Sequence, residues 1–214
     1  MISSRKVTAW KKNRKFGDVF GGRTFPKLPD KIFNRLHSLN PPVKNQEVPI
    51  TITENPSRDF FFPITPEDIL TEFKNLPPEH TDDITHIWFR RISKKDFQKK
   101  DFSQAAFICG SKVRVIIFHP FPKDLRINFG KKKPSDKIKR FYGKWSPELN
   151  FSNDNWYLQW TEPEIKKYYL EHLLLHEIGH HLDWYRHEWS KANHKQVEDA
   201  ANNYAFLRAK NVKE

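Results

Sequence analysis

Beyond about residue 60, apolar and polar positions fall into short patterns that read as separate elements. Thr65-Pro66-Glu67-Asp68 supplies an N-cap, a first-turn proline and two acids, and Ile69, Leu70, Phe73 and Leu76 then recur at helical spacing until Pro77-Pro78. Ile84 to Ile92 is rich in β-branched and aromatic residues and predicts a strand. Ala105 to Cys109 and Val113 to His119 predict two more, joined by a tight turn at Gly110-Ser111, and Asn155 to Trp160 a shorter one. Lys131 to Arg140 has no periodicity and reads as a loop or the frayed start of a helix. Thr161-Glu162-Pro163-Glu164 is a capping box that opens a long helix, expected to reach about Glu188. Its apolar positions, among them Ile165, Tyr168, Leu173, Ile178 and Leu182, occupy much of the circumference, which predicts burial on more than one side.

The first 60 residues are patterned differently. Pro26, Pro29, Pro41, Pro42, Pro49 and Pro56 punctuate them, a density that opposes long helices and central strands. Only Asp30 to Leu39, with Ile32, Leu36 and Leu39 on one face, predicts a short helix. The chain therefore divides into a basic, Pro-rich extension, 1–60, expected to be dispensable for the fold, and one domain, 61–214.

Charge sharpens this division. Residues 1–50 hold 11 Lys/Arg against 3 Asp/Glu, a net of +8 out of +12 for the chain. Such a stretch suits a nucleic acid, an acidic partner or an anionic membrane surface, or is a solvated tail. The single Cys rules out an internal disulfide. No stretch approaches the roughly 20 apolar residues of a membrane span, and Met1 to Trp10 lacks the apolar core of a secretion signal. Mean hydropathy is low, −0.81, but 7 Trp, 6 Tyr and 18 Phe supply core material. The expectation is a soluble protein of the cytoplasm.

One motif in the long helix carries chemistry. His176-Glu177-Ile178-Gly179-His180 has the form H-E-x-x-H. Four residues turn a helix by about 400°, so both imidazoles leave one face, about 6 Å apart along the axis. They can converge on one zinc ion, while Glu177, about 100° round, is placed to act as general base on water held by the metal. With 10 His and 13 Glu, a shuffled chain contains the pattern about 0.03 times.

A catalytic zinc needs a third protein ligand. His172 lies about 12 Å from His180 along the axis, too far to share an ion. The position ten after His176 is Arg186, not a third His. Asp183, a turn beyond His180, suits a partner to the ligands better than a ligand. Asn193-His194-Lys195-Gln196 starts a new helix, on which Glu198, Asn202 and Ala205 share a face beside Ala201. Small residues there permit close approach to the first helix. Glu198 then completes a His-His-Glu zinc site and Asn202 orients a ligand; the plainer reading of Glu198 is a first-turn acid favoured by the helix dipole.

These residues resemble a gluzincin-type zincin metallopeptidase, and most closely the small ImmA/IrrE-type metallopeptidases. Those combine H-E-x-x-H with a downstream E-x-E-A-N-x-F-A-like stretch, matched here by Glu198-Asp199-Ala200-Ala201-Asn202-Asn203-Tyr204-Ala205, with Ala200 at the second acid. The resemblance implies an α+β, zincin-like fold: a small mixed sheet packed on the motif helix, followed by a second helix with the third ligand. It implies a zinc-dependent endopeptidase acting on a protein substrate, with Zn²⁺ on His176, His180 and Glu198 and with Glu177 activating water. It also implies that an upstream strand, taken as Val113 to His119, pairs with extended substrate. Tyr204, His194 and Tyr157 are candidate oxyanion stabilisers. Two rival readings stand beside it. One is a DNA-associated, SprT-like metalloprotease with His194 as third ligand, and the other a basic nucleic-acid-binding protein with a non-catalytic zinc.

Overall fold

The computed structural model describes residues 39–98, 102–145, 147–184 and 193–210. The basic N-terminal stretch up to residue 38, with most of the helix predicted over Asp30 to Leu39, and the predicted continuation of the motif helix beyond Trp184 lie outside the described residues. So does Arg186.

In chain order the elements are β1 (Ile50–Thr53), β2 (Phe60–Phe61), α1 (Pro66–Lys74), a 3-10 turn (Pro78–His80), β3 (His86–Phe89) and α2 (Lys94–Phe97). Then come β4 (Ala105–Gly110), β5 (Val113–Phe118), β6 (Phe121–Pro122), β7 (Arg126–Gly130), α3 (Asp136–Tyr142) and a 3-10 turn (Gly143–Trp145). They are followed by β8 (Glu148–Ser152), β9 (Asn155–Gln159), α4 (Glu162–Tyr168), a π-helical segment (Tyr169–Leu174), α5 (Leu175–Trp184) and α6 (His194–Lys210). The protein is α+β.

The principal sheet is mixed, in the order β1-β3-β5-β4. β1, β3 and β5 are parallel, and β4 returns antiparallel to β5 as an edge. Ser111 and Lys112, both at positive φ (51° and 60°), make the two-residue turn, whose twist matches that of the flanking strands. Side chains alternate across β5, so its two faces serve different layers. Ile116 and Phe118 join the main core with Leu174, Leu175 and Ile178 of the helices. Val113, Val115 and Ile117 pack with Leu39, Trp88 and Ile108 on the other face. A separate antiparallel sheet, β7-β9-β8, contributes Leu158 to the main core.

Several expectations change here. The sheet does not begin at Phe61: Ile50 to Thr53 supplies its β1 edge, paired with β3 from Ile50–His86 to Thr53–Phe89. Pro49 and Pro56 lie just outside this strand, so they bound it without removing a ladder donor. β7 and β8 were not expected. The hairpin from β8 to β9 turns on Asn153-Asp154, both at positive φ (49° and 56°). Lys131 to Arg140 does enter a helix, with Ser135 capping Ile138 N–H at 3.4 Å and Lys131 to Lys133 exposed before it. The long motif helix has its capping box, Thr161 N–H donating to Glu164 Oε2 at 2.8 Å. It does not stay α-helical, because the π segment interrupts it before the motif.

Candidate metal centre

The motif sits in α5, downstream of the π segment. His176 and His180 leave one face with ring centroids 4.5 Å apart, nearly perpendicular. α6 brings Glu198 to them. Its Oε2 lies 3.5 Å from His176 Nε2 and its Oε1 3.5 Å from His180 Nε2. These separations exceed a normal N–H···O hydrogen bond. Two ligands held about 2.0–2.1 Å from a tetrahedral ion lie roughly 3.4 Å apart, so the spacing fits a shared cation. One ligand atom from each of the three residues falls within 4.8 Å of the others. The donor set, two imidazoles and a carboxylate, is one that can hold a metal ion.

Gly179 makes this approach possible. A Cβ at 179 would stand 2.8 Å from Ala201 Cα and 3.1 Å from Ala201 O. The sequence had pointed to Ala201 as the small residue of the contact, and the glycine inside the motif is its counterpart.

Glu177 points into the same cavity, which holds about 300 Å³ between β4, α5 and α6. It is 4% exposed. Burial is the main influence on it and carries its pKa up to about 7, against the charge of His176 and a hydrogen bond from the Phe107 backbone N–H. The part played by Phe107 leaves no mark in the sequence, because its donor is main chain. Burial works to lower the pKa of His176, but Glu198, Glu177 and the adjacent Asn202 turn the net shift upward. In His180 burial prevails, aided by the charge of His176, and the pKa falls to about 4. Glu198 is held below its usual value, first by His176.

The remaining expected residues divide. Asp183 is buried, and its charge opposes the fall in the pKa of His180. His194 lines the cavity with Nδ1 3.8 Å from Glu198 Oε1, but it is largely exposed and outside the three-residue group. Of the oxyanion candidates, Tyr204 and Tyr157 do not line the cavity. The Tyr204 hydroxyl bonds His80 Nδ1 at 2.8 Å, and Tyr157 lies under the Arg126 guanidinium in the second sheet. The strand at the cleft is β4, not β5 as the resemblance implies. β5 is flanked by β3 and β4, with both edges occupied, whereas Ala105, Ala106 and Phe107 of β4 line the cavity.

Behind the centre, His172 of the π segment is enclosed by Phe141, Trp145 and Tyr168 at 5.0, 5.0 and 5.6 Å between centroids. Burial lowers its pKa to about 3, so it is a neutral packing ring. Among the described residues no helix is long and apolar enough to cross a membrane. Comparison with protein-family models, with curated proteins and with solved structures finds no match.

Proposed function

We propose that the protein is a zinc-dependent endopeptidase of the zincin type, acting on a protein substrate. The observation that carries this reading is the convergence of His176, His180 and Glu198 with the buried Glu177 in one cavity. His176, His180 and Glu198 would hold the ion. Zinc supplies Lewis acidity, which acidifies water and polarises a peptide carbonyl. Glu177 accepts the proton of the attacking water and later returns it to the leaving amine. A buried carboxylate lining the same cavity is placed for both halves of that task. β4, the sheet edge beside the cavity, is the strand along which an extended substrate would pair. The ImmA/IrrE-like stretch from Glu198 to Ala205 supports the same assignment.

The test compares the wild type with Glu177→Gln on a denatured protein substrate and assays bound zinc in both. The wild type is expected to cut and to hold one zinc per chain. The variant should keep its zinc and lose activity by a factor of about 10² to 10⁴, the contribution of a positioned acid–base group. Undiminished cleavage in the variant, or a zinc-loaded wild type that cuts none of a broad panel of unfolded proteins, would overturn the reading.

A further inference from the structure

A second concavity adjoins the metal cleft, and Ser103, just before β4, lines both. It encloses about 1540 Å³, beyond the roughly 300–1,000 Å³ of small-molecule sites. That size suits a length of polymer. Its floor is apolar and comes from three elements: Ile127 and Phe129 of β7, Ile138, Phe141 and Tyr142 of α3, and Leu173 of the π segment. Its rim is cationic. Arg58, Lys94, Lys123, Lys132 and Lys133 are all exposed, with Asp59 and Asp124 as the carboxylates among them. Among the described residues none of these five cations is engaged in an ion pair, though Lys133 Nζ stands over the Trp156 ring at 5.0 Å.

We propose that this groove receives an acidic polypeptide segment bearing large apolar side chains and leads it into the metal cleft. The proposal deepens the peptidase reading and rests on it. Carboxylates of the segment meet the cationic rim, which also steers its approach. Apolar side chains enter the floor and displace water there. Continuity through Ser103 brings the same chain to β4 and Glu177. The aromatic rings of the groove favour a peptide over single-stranded nucleic acid. Phe141 and Tyr142 meet edge to face at 4.9 Å, as do Phe60 and Phe97 at 5.3 Å. Rings packed in this way form a floor, whereas stacking of successive bases needs open faces.

The experiment uses the full chain, zinc-loaded, as Glu177→Gln so that bound peptide is not cut. Fluorescence anisotropy is read with three labelled probes: a peptide alternating Glu with Leu and Phe, the same peptide with Lys for Glu, and oligo-dT of similar length. The acidic peptide is expected to bind at least about tenfold more tightly than the Lys peptide. Adding Lys123→Glu and Lys132→Glu should weaken it by about tenfold, with zinc content and circular dichroism unchanged. Equal binding of the two peptides, or full affinity in the charge-reversed protein, would overturn the proposal. Oligo-dT binding as tightly as the acidic peptide would assign the groove to nucleic acid and overturn it too. Binding is read without cleavage. A wild type that binds the acidic peptide as expected but cuts nothing would therefore sink the peptidase reading alone.

Discussion

A single hydrogen at the α-carbon of position 179 lets one carboxylate reach two imidazoles. The atoms a β-carbon would meet, Ala201 Cα and O, are main chain and cannot rotate aside. Gly179→Ala must push α6 away from α5 and withdraw Glu198. Zinc affinity, measured against a competing chelator, should fall about 10- to 100-fold, the cost usual for disturbing the support of a ligand. The loss should come despite the gain of about 1 kcal/mol that alanine offers in helix propensity. Unchanged affinity would mean that the helices adjust freely. Two other substitutions separate the rival third ligands. Glu198→Ala should abolish stoichiometric zinc in elemental analysis, while His194→Ala should retain it, since His194 stands outside the three-residue group. The reverse pattern would favour a three-histidine site.

The π segment directly precedes the motif helix. It is tied to the end of the sheet by the Tyr169 hydroxyl, which donates to His119 O at 2.8 Å from a fully buried ring. Tyr169→Phe keeps the ring and strands that carbonyl, so urea unfolding should show a loss of about 1–2 kcal/mol. Zinc content should not change, and a loss below about 0.5 kcal/mol would mean that another donor replaces the hydroxyl. Only some of the elements are legible in the sequence. β3, β4, β5 and α1 were legible because period-two or period-3.6 apolar patterns coincide with turn and cap residues. Glu198 was legible because Ala201 and Ala205 mark the side of α6 that approaches another helix. β1 was hidden by Pro49 and Pro56, which weigh against a strand although both lie outside it. β7 and β8 were hidden because Ile127, Phe129, Leu149 and Phe151 are separated by polar residues found as often in loops; only Asn153-Asp154 marked the hairpin. The π segment has no composition of its own, since Tyr169 to Leu174 continues the apolar helical pattern. Its register is set by packing, as is the shift of the cleft wall from β5 to β4.

For the whole molecule, buried histidines set the response to acid. His181 is fully buried, with Nε2 donating to Asp82 O at 3.0 Å, and burial depresses its pKa to about 4; that of His172 falls to about 3. The unfolded chain binds protons at these sites near pH 6.5 while the folded chain does not, so stability is lost as pH falls from about 6.5 toward 4. His180 adds to the loss. His176 and Glu177 oppose it, because their folded pKa values are raised and acidification favours their protonated forms in the fold. The balance is a net decline, and the urea midpoint of chelator-treated protein should drop between pH 7 and 4; a flat midpoint would contradict the neutral, buried state of His172 and His181. The position of β1 has a consequence of another kind. Ile50 to Thr53 covers the outer edge of β3, whose residues are His86, Ile87, Trp88 and Phe89. A chain cut to start at Phe61 keeps His176, His180 and Glu198 but bares that edge, and an unpaired apolar strand is a template for strands of other molecules. Such a fragment should self-associate as its concentration rises, scattering light and leaving the monomer peak in gel filtration, even while the first molecules formed still bind zinc.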